Sequence, residues 1–235
     1  MATDPVFYAD TYARSCEAEV LAINDRGGVV LDRTVFYPTG GGQPGDTGVL
    51  RTTDGATVAI ATTVKGEQPG EIVHVPAEGD PGSLAPGSKV MAEIDWERRH
   101  RLMRIHTCLH LLSAVLPYPV TGGQVGDGKG RLDFDIPEAG LDKDEITGRL
   151  NELVEADHPV SVRWITDDEL QAKPELVKTM SVKPPMGTGR VRVIDIDGLD
   201  LQPCGGTHVA RTSEIGSVVV RKIEKKGRQN RRVSI

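Results

Sequence analysis

Two residue pairs in this chain share a spacing that could hold a metal ion: His106 and His110 in the run HTCLH, and Cys204 and His208 in the run CGGTH. On a helix, an i, i+4 spacing puts both imidazoles on one face, one turn apart. On a turn loosened by two glycines, the second pair offers a thiolate and another imidazole. Together they make the nitrogen and sulfur donor set that Zn²⁺ prefers, at about 2.0–2.1 Å to nitrogen and about 2.3 Å to sulfur. In a chain with six His and three Cys, the first spacing arises by chance about once in seven chains and the second about once in thirteen. Either alone would pass as a core histidine or a simple turn; both together, near about one in a hundred, read as a site. Cys108 lies about 200° round a helix from His106 and is left out. A zinc peptidase of the HExxH type needs a Glu after the first His as its base, and Thr107 stands there. A papain-like Cys–His pair lacks any Asn or Asp signature to accompany Cys204.

The first pair needs a helix, and the sequence supplies one. Leu102, Ile105, Leu109, Leu112 and Leu116 follow the 3, 4, 3, 4 spacing of one apolar stripe over 96–116, and Pro117 ends it. The line Met103, His106, His110, Ser113 runs beside that stripe, so partial burial is expected. Further helices are expected at 142–157, with Asp142 and Glu145 at cap spacing, and at 166–172, opened by Thr166 and Glu169 as a capping box. Strands are expected at RLDFDI, PVSVRW, RVRVIDI and SVVVRKI. Residues 1–90 read instead as short strands (EAEVLAI, GVVLD, TVAIATT, EIVHV) separated by Gly and Asp-Gly turns, with SKVMAEI as a last strand after a Pro/Gly-rich stretch at 76–87. The fold class is therefore α+β: a small N-terminal all-β unit over 1–90, then a mixed α+β domain over 91–235 with an antiparallel sheet packed by helices. At 235 residues the chain has room for two domains of about 100–150 residues each.

Composition narrows the class. No apolar run approaches the roughly 20 residues of a membrane span, and the first residues show neither a basic patch nor an apolar stretch of a secretion signal. Cys16, Cys108 and Cys204 are too few and scattered to staple a fold of this size, so a reducing, cytoplasmic location is expected. The net charge of −6 argues against a nucleic-acid partner until its distribution is read. From residue 221 onward, Arg221, Lys222, Lys225, Lys226, Arg228, Arg231 and Arg232 face only Glu224, giving +6, so residues 1–220 carry −12. This terminus is either a solvated strand pair or a phosphate contact.

The glycine-rich segment 36–48, FYPTGGGQPGDTG, contains a literal GxGxxG. Pro44 interrupts it and a strand is expected after it, so the helix N-terminus that a dinucleotide site needs is missing. No GK[ST] follows, which excludes a P-loop. Gly41-Gly42-Gln43 matches the tripeptide with which peptide release factors approach a peptidyl-tRNA ester. These three residues are carried as candidate substrate contacts, with Asp46 as a second possible working side chain. The competing reading is a tight turn that needs positive φ.

The runs HTCLHLL (106–112), GQVGDGKGRLDFD (123–135), CGGTHV (204–209) and EIGSVVVRKIEKKGRQNRRVSI (214–235) together resemble the freestanding alanyl-tRNA editing proteins, the AlaX group, and the editing domain of alanyl-tRNA synthetase. The run YPTGGGQPGDTG (37–48) resembles the glycine-rich motif of the medium-length members, which implies that 1–90 is a small N-terminal β-barrel domain and 91–235 the editing domain. The resemblance covers nearly the whole chain, with little from 137–190. It implies hydrolysis of the ester in tRNA(Ala) mischarged with serine or glycine, sparing alanyl-tRNA(Ala). It implies one Zn²⁺ on His106, His110, Cys204 and His208, and a pocket residue at Gln124. The synthetase domain often has Thr before its second helical His, where this chain has Leu109, so Thr107 and Thr121 both stand as candidates for reading the seryl hydroxyl. Arg221, Lys222, Lys225 and Lys226 would then contact the acceptor stem. A catalytic zinc site usually has three protein ligands, and the similar His/Cys set of the threonyl-tRNA synthetase editing domain works without zinc, so a metal-free reading stays open. Two other readings also stay open: an RNA-binding module with a structural zinc, and a release-factor-like peptidyl-tRNA hydrolase. Oligomeric state is not legible; a monomer is compatible with the sequence.

Overall fold

The computed structural model describes residues 2–77, 81–137, 140–180 and 189–235; residues 78–80 of the Pro/Gly stretch lie outside it. The chain divides into two compact units, Met1–Arg101 and Leu102–Ile235. The division falls beyond residue 90, inside the long helix.

In the first unit, β1 (Asp4–Pro5) leads through α1 (Val6–Ala9) to β2 (Ser15–Ile23), β3 (Val29–Leu31), β4 (Arg33–Thr34), β5 (Gly48–Thr52), β6 (Thr57–Lys65), β7 (Ile72–Pro76) and β8 (Lys89–Ile94). Six of these close a barrel in the order β2-β3-β7-β6-β5-β8, while β1 and β4 pair in parallel. Alternation dictates the interior: along β8, Val90, Ala92 and Ile94 are buried and Lys89, Met91 and Glu93 are exposed. They join Val20, Leu31, Phe36, Leu50 and Ile60 in the barrel core.

In the second unit, α2 (Trp96–Val115) continues to the segment before Pro117. From Leu102 on, almost every side chain of α2 is buried, and Ile105 of the expected stripe is less covered than either histidine. Over this part of the helix burial extends beyond the expected apolar stripe, whose leucines are all buried, to the polar line beside it. Four strands form an antiparallel sheet in the order β14 (Lys222–Lys225), β15 (Asn230–Ser234), β10 (Lys129–Asp135) and β9 (Val120–Gly126). A second antiparallel sheet contains β11 (Val160–Thr166), β12 (Arg190–Ile196) and β13 (Asp200–Pro203). Helix α3 (Lys143–Glu155) starts where Asp142 accepts the amides of Asp144 and Glu145, and it buries Ile146, Leu150 and Val154. Helix α4 (Asp167–Ala172) starts at the Thr166/Glu169 capping box.

The strand expected at 217–223 begins only at Lys222. Ahead of it, side chains of α3 take the backbone: Val218 N–H donates to Asn151 Oδ1, Val218 O accepts from Asn151 Nδ2, and Val220 N–H donates to Thr147 Oγ1. A helix edge thus substitutes for a neighbouring strand. No helix among the described residues is long and apolar enough to cross a membrane.

Candidate metal centre

Helix α2 presents His106 and His110 one turn apart, and β13 delivers the CGGTH turn opposite them. Arg192 of β12 pins that turn, its Nη1 donating to Cys204 O at 2.7 Å and Gly206 O at 2.9 Å. The potential ligand atoms of His106, His110, Cys204 and His208 all lie within 4.8 Å of one another. Cys204 Sγ is 3.5 Å from His106 Nε2 and 3.3 Å from His208 Nε2. A tetrahedral zinc centre spaces its donor atoms about 3.3–3.7 Å apart, so these residues fit the ion.

Two of the imidazoles are fixed from behind. Thr107 Oγ1 lies 3.0 Å from Met103 O, 3.2 Å from Val209 N and 3.2 Å from His208 Nδ1. The hydroxyl has one proton, which goes to the carbonyl, so His208 Nδ1–H donates to Oγ1 and Nε2 is left with its lone pair toward the cluster. Burial, then the neighbouring His106, pushes His208 down to about 3, which keeps that ring neutral. His110 Nδ1 lies 2.8 Å from Asp200 Oδ2. Burial alone would lower His110, but its bonds to Asp200 and Cys204 outweigh that and raise it to about 10. Burial would likewise raise Cys204, yet the surrounding imidazoles, His106 foremost, hold it well below the ordinary thiol range, so the sulfur is a thiolate. Cys108, buried away from such charges, is pushed up to about 12 by desolvation and is a plain core thiol.

The other sequence candidates fall elsewhere. Thr121 and Gln124 lie on β9. Thr121 Oγ1 donates to Asp133 O and accepts from Asn230 Nδ2, while exposed Gln124 accepts from Arg131 Nε at 3.3 Å. Strand β10 approaches α2 closely at Gly130, where a Cβ would stand 2.7 Å from Ile105 Cγ2.

In the first unit, Gly41 and Gly42 form an exposed two-residue turn with φ of 57° and 80°, closed by Gly40 and Gln43 backbone bonds. Gln43 itself is only 1% exposed. Asp46 accepts from Tyr37 N and pairs with Arg99, both carboxylate and guanidinium being fully buried. A buried Gln43 gives the release-factor reading no working side chain, and Asp46 is spent inside the fold.

The basic terminus is partly neutralised by its own sheet. Glu224 takes Lys222 and Lys226 at 3.0 and 3.1 Å, and Asp133 takes Arg232 at 2.7 Å. Among the described residues, exposed Arg221, Lys225 and Arg228 have no acidic partner.

Sequence reasoning placed Ser113 on the polar line of α2 without a role, and overlooked Asp200, Gln202, Lys178 and Arg192. The available signal was the pair Asp200 and Gln202, alternate polar residues on the strand entering CGGTH, both turned to one face.

Residues 191–234 match the family model "Threonyl and Alanyl tRNA synthetase second additional domain", and residues 7–98 match "tRNA synthetases class II (A)". The alanyl-tRNA editing protein AlaX-M of Methanosarcina acetivorans is 36% identical over 98% of this chain and 97% of its own length. That of Saccharolobus solfataricus is 35% identical over the same shares. The alanine–tRNA ligase of Pyrobaculum calidifontis is 36% identical over 95% of this chain, which spans 25% of the ligase.

Proposed function

The chain belongs to the AlaX-M family of alanyl-tRNA editing proteins, and from that premise we propose that it deacylates tRNA(Ala) mischarged with serine or glycine and spares alanyl-tRNA(Ala). It is an aminoacyl-tRNA deacylase, a hydrolase of the ester joining amino acid to tRNA. The observation that carries this reading is the convergence of His106, His110, Cys204 and His208, from segments about a hundred residues apart, into one largely buried donor set of zinc-like spacing. A zinc ion held there supplies Lewis acidity toward the ester carbonyl and a fixed positive charge for polar substrate groups.

The chain's own residues do the rest. The Nε2 atoms of the three imidazoles and the Cys204 thiolate would hold the ion, and burial of His106, His110 and His208 keeps bulk water from competing. Thr107 orients His208. Gln124, whose amide NH₂ has no partner among the described residues, is assigned to read the seryl hydroxyl, with Thr121, three residues earlier on β9, as the second candidate. A pocket that hydrogen-bonds a hydroxyl leaves its polar groups unpaired against alanine, which is worth up to about 10⁴–10⁵ in discrimination. Arg221, Lys222, Lys225 and Lys226 are assigned to the tRNA backbone, a contact that weakens as salt rises. The protein would act in the cytoplasm, after the synthetase has released its product.

The test is deacylation of seryl-, glycyl- and alanyl-tRNA(Ala) by native, chelator-treated and zinc-restored protein. The reading expects loss of serine or glycine only, abolished by chelator and restored by zinc. Hydrolysis indifferent to chelator would remove zinc from it. No hydrolysis under any condition would leave an RNA-binding module with a structural metal.

A further inference from the structure

Asp200 is a buried carboxylate four residues before Cys204. Its Oδ2 faces His110 Nδ1 at 2.8 Å, its Oδ1 receives Lys178 Nζ at 2.6 Å, and Gln202 Nε2 lies 2.8 Å from both oxygens. Gln202 Nε2 also donates to Ser113 Oγ at 2.7 Å, and Ser113 Oγ donates to His110 O at 2.9 Å. His110 is therefore gripped twice, at its ring through Asp200 and at its backbone through Ser113, with Gln202 tying the two grips together. Lys178 reaches inward from a segment bonded to β9: Val120 N–H donates to Lys178 O, and Met180 N–H donates to Val120 O. Its side chain is 28% exposed while that of Asp200 is 0%. The lysine thus supplies, from nearer the surface, the countercharge that a fully buried carboxylate requires.

An ordinary buried ion pair would need only Asp200 and Lys178. Here the carboxylate spends its other oxygen on the imidazole nitrogen that points away from the donor cluster, the arrangement by which an outer carboxylate sets the tautomer and direction of a metal-binding histidine. We infer that Asp200, anchored by Lys178, is the positioning residue for His110: it fixes the proton on Nδ1, aims Nε2 at the centre, and sets how tightly the centre retains its metal. This rests on the reading of the four-residue cluster as a metal site.

The experiment measures zinc affinity by chelator competition, and cobalt(II) absorption, for the native chain, Lys178→Met, and the charge-balanced double variant Asp200→Asn/Lys178→Met. The native chain must first take up one zinc; if it does not, the metal-site reading itself has failed. Given native binding, the double variant should hold zinc about ten- to a hundredfold more weakly and show altered cobalt ligand-field bands, with its metal-free circular dichroism and melting temperature unchanged. Native affinity and native bands in a folded double variant overturn the inference. A measurement on the unmutated, zinc-loaded protein stands independent of variant folding: imidazole ¹⁵N spectra should show His110 protonated at Nδ1 and bare at Nε2. The opposite tautomer overturns it as well.

Discussion

Replacing Thr107 by valine separates two roles that a buried hydroxyl beside the metal donors could have. The methyl-for-hydroxyl exchange keeps the β-branched shape in a helix where Thr107 is fully buried, but it removes the acceptor of two donors, His208 Nδ1–H and Val209 N–H. Each buried donor left without a partner costs about 1–3 kcal/mol, so Thr107→Val should lower stability by about 2–6 kcal/mol, a large share of the roughly 5–15 kcal/mol that folded proteins have. His208 would also lose the partner that fixes its tautomer, and zinc affinity should fall about ten- to a hundredfold. Thr107→Ser keeps the oxygen and should lose only about 1 kcal/mol for its missing methyl, with zinc affinity near native. Urea unfolding and chelator competition read the two quantities. Deacylation of seryl- and glycyl-tRNA(Ala) supplies the decisive contrast, because a positioning role predicts equal losses for both esters. Were Thr107→Val to keep its stability and its zinc but lose serine hydrolysis alone, the hydroxyl would be reading substrate and the reasoning from its three bonds would be refuted.

In the first unit, Arg99→Met strands the buried Asp46 carboxylate and should cost about 3–5 kcal/mol in urea unfolding, part of which Asp46→Asn/Arg99→Met recovers. His74 is pushed down to about 4 by burial, with Nδ1–H donating to Val29 O and Nε2 accepting from Thr34. The unfolded chain takes up that proton near pH 6.5 and the folded one only near pH 4. His74 therefore costs no stability above about pH 6.5 and removes up to about 3 kcal/mol as pH falls toward 4, a loss that urea midpoints across this window should show and that His74→Gln should flatten. For tRNA, replacing exposed Arg221 by glutamine (Arg221→Gln) should reduce the slope of log Kd against log salt by about one. Arg232→Gln should change it less, since Arg232 is already paired with Asp133.

What the sequence revealed and what it hid divides along the range of the interactions. Leucine spacing and Pro117 mark the ends of α2 because a helix is a local structure, and Asp142 and Thr166 mark α3 and α4 because a cap reaches only two or three residues. The His/Cys cluster is legible because both of its pairs carry a local i, i+4 spacing. Its supports are not: Asp200 meets His110 across 90 residues and Lys178 across 22, and no periodicity records such meetings. The same limit explains 217–221, where an apolar run that looks like a strand is bonded instead by Asn151 and Thr147. It also explains the terminus, whose cations look uncompensated until the sheet sets Asp133 beside Arg232. In the glycine-rich segment the positive-φ turn at Gly41 and Gly42 follows from residue type, while the burial of Gln43 is a tertiary fact.

The division of labour within the second unit leads to a last prediction. His110 and His208 are each locked at Nδ1, so the donor cluster has little freedom to adapt to one amino acid over another, and selectivity has to come from elements that do not bind the metal. Strand β9, with Gln124 and Thr121, is the candidate, and its neighbour β10 is seated on the helix at Gly130, directly against Ile105 and Leu109. A Cβ there would stand 2.7 Å from a stiff β-branched methyl and 3.3 Å from Leu109, closer than packing tolerates, so the strand pair must move outward. Gly130→Ala should therefore lower kcat/KM for seryl-tRNA(Ala) at least tenfold, since a displacement of about 1 Å at a positioned contact is enough for a loss of that order. Zinc affinity should fall much less than activity, because no donor lies on β9 or β10, and Lys178, the support tied to β9 by backbone bonds at Val120, stands one step removed from His110. If zinc affinity falls in step with activity, the sheet is holding the metal centre together, and assigning the reading of the amino acid to β9 loses its structural basis.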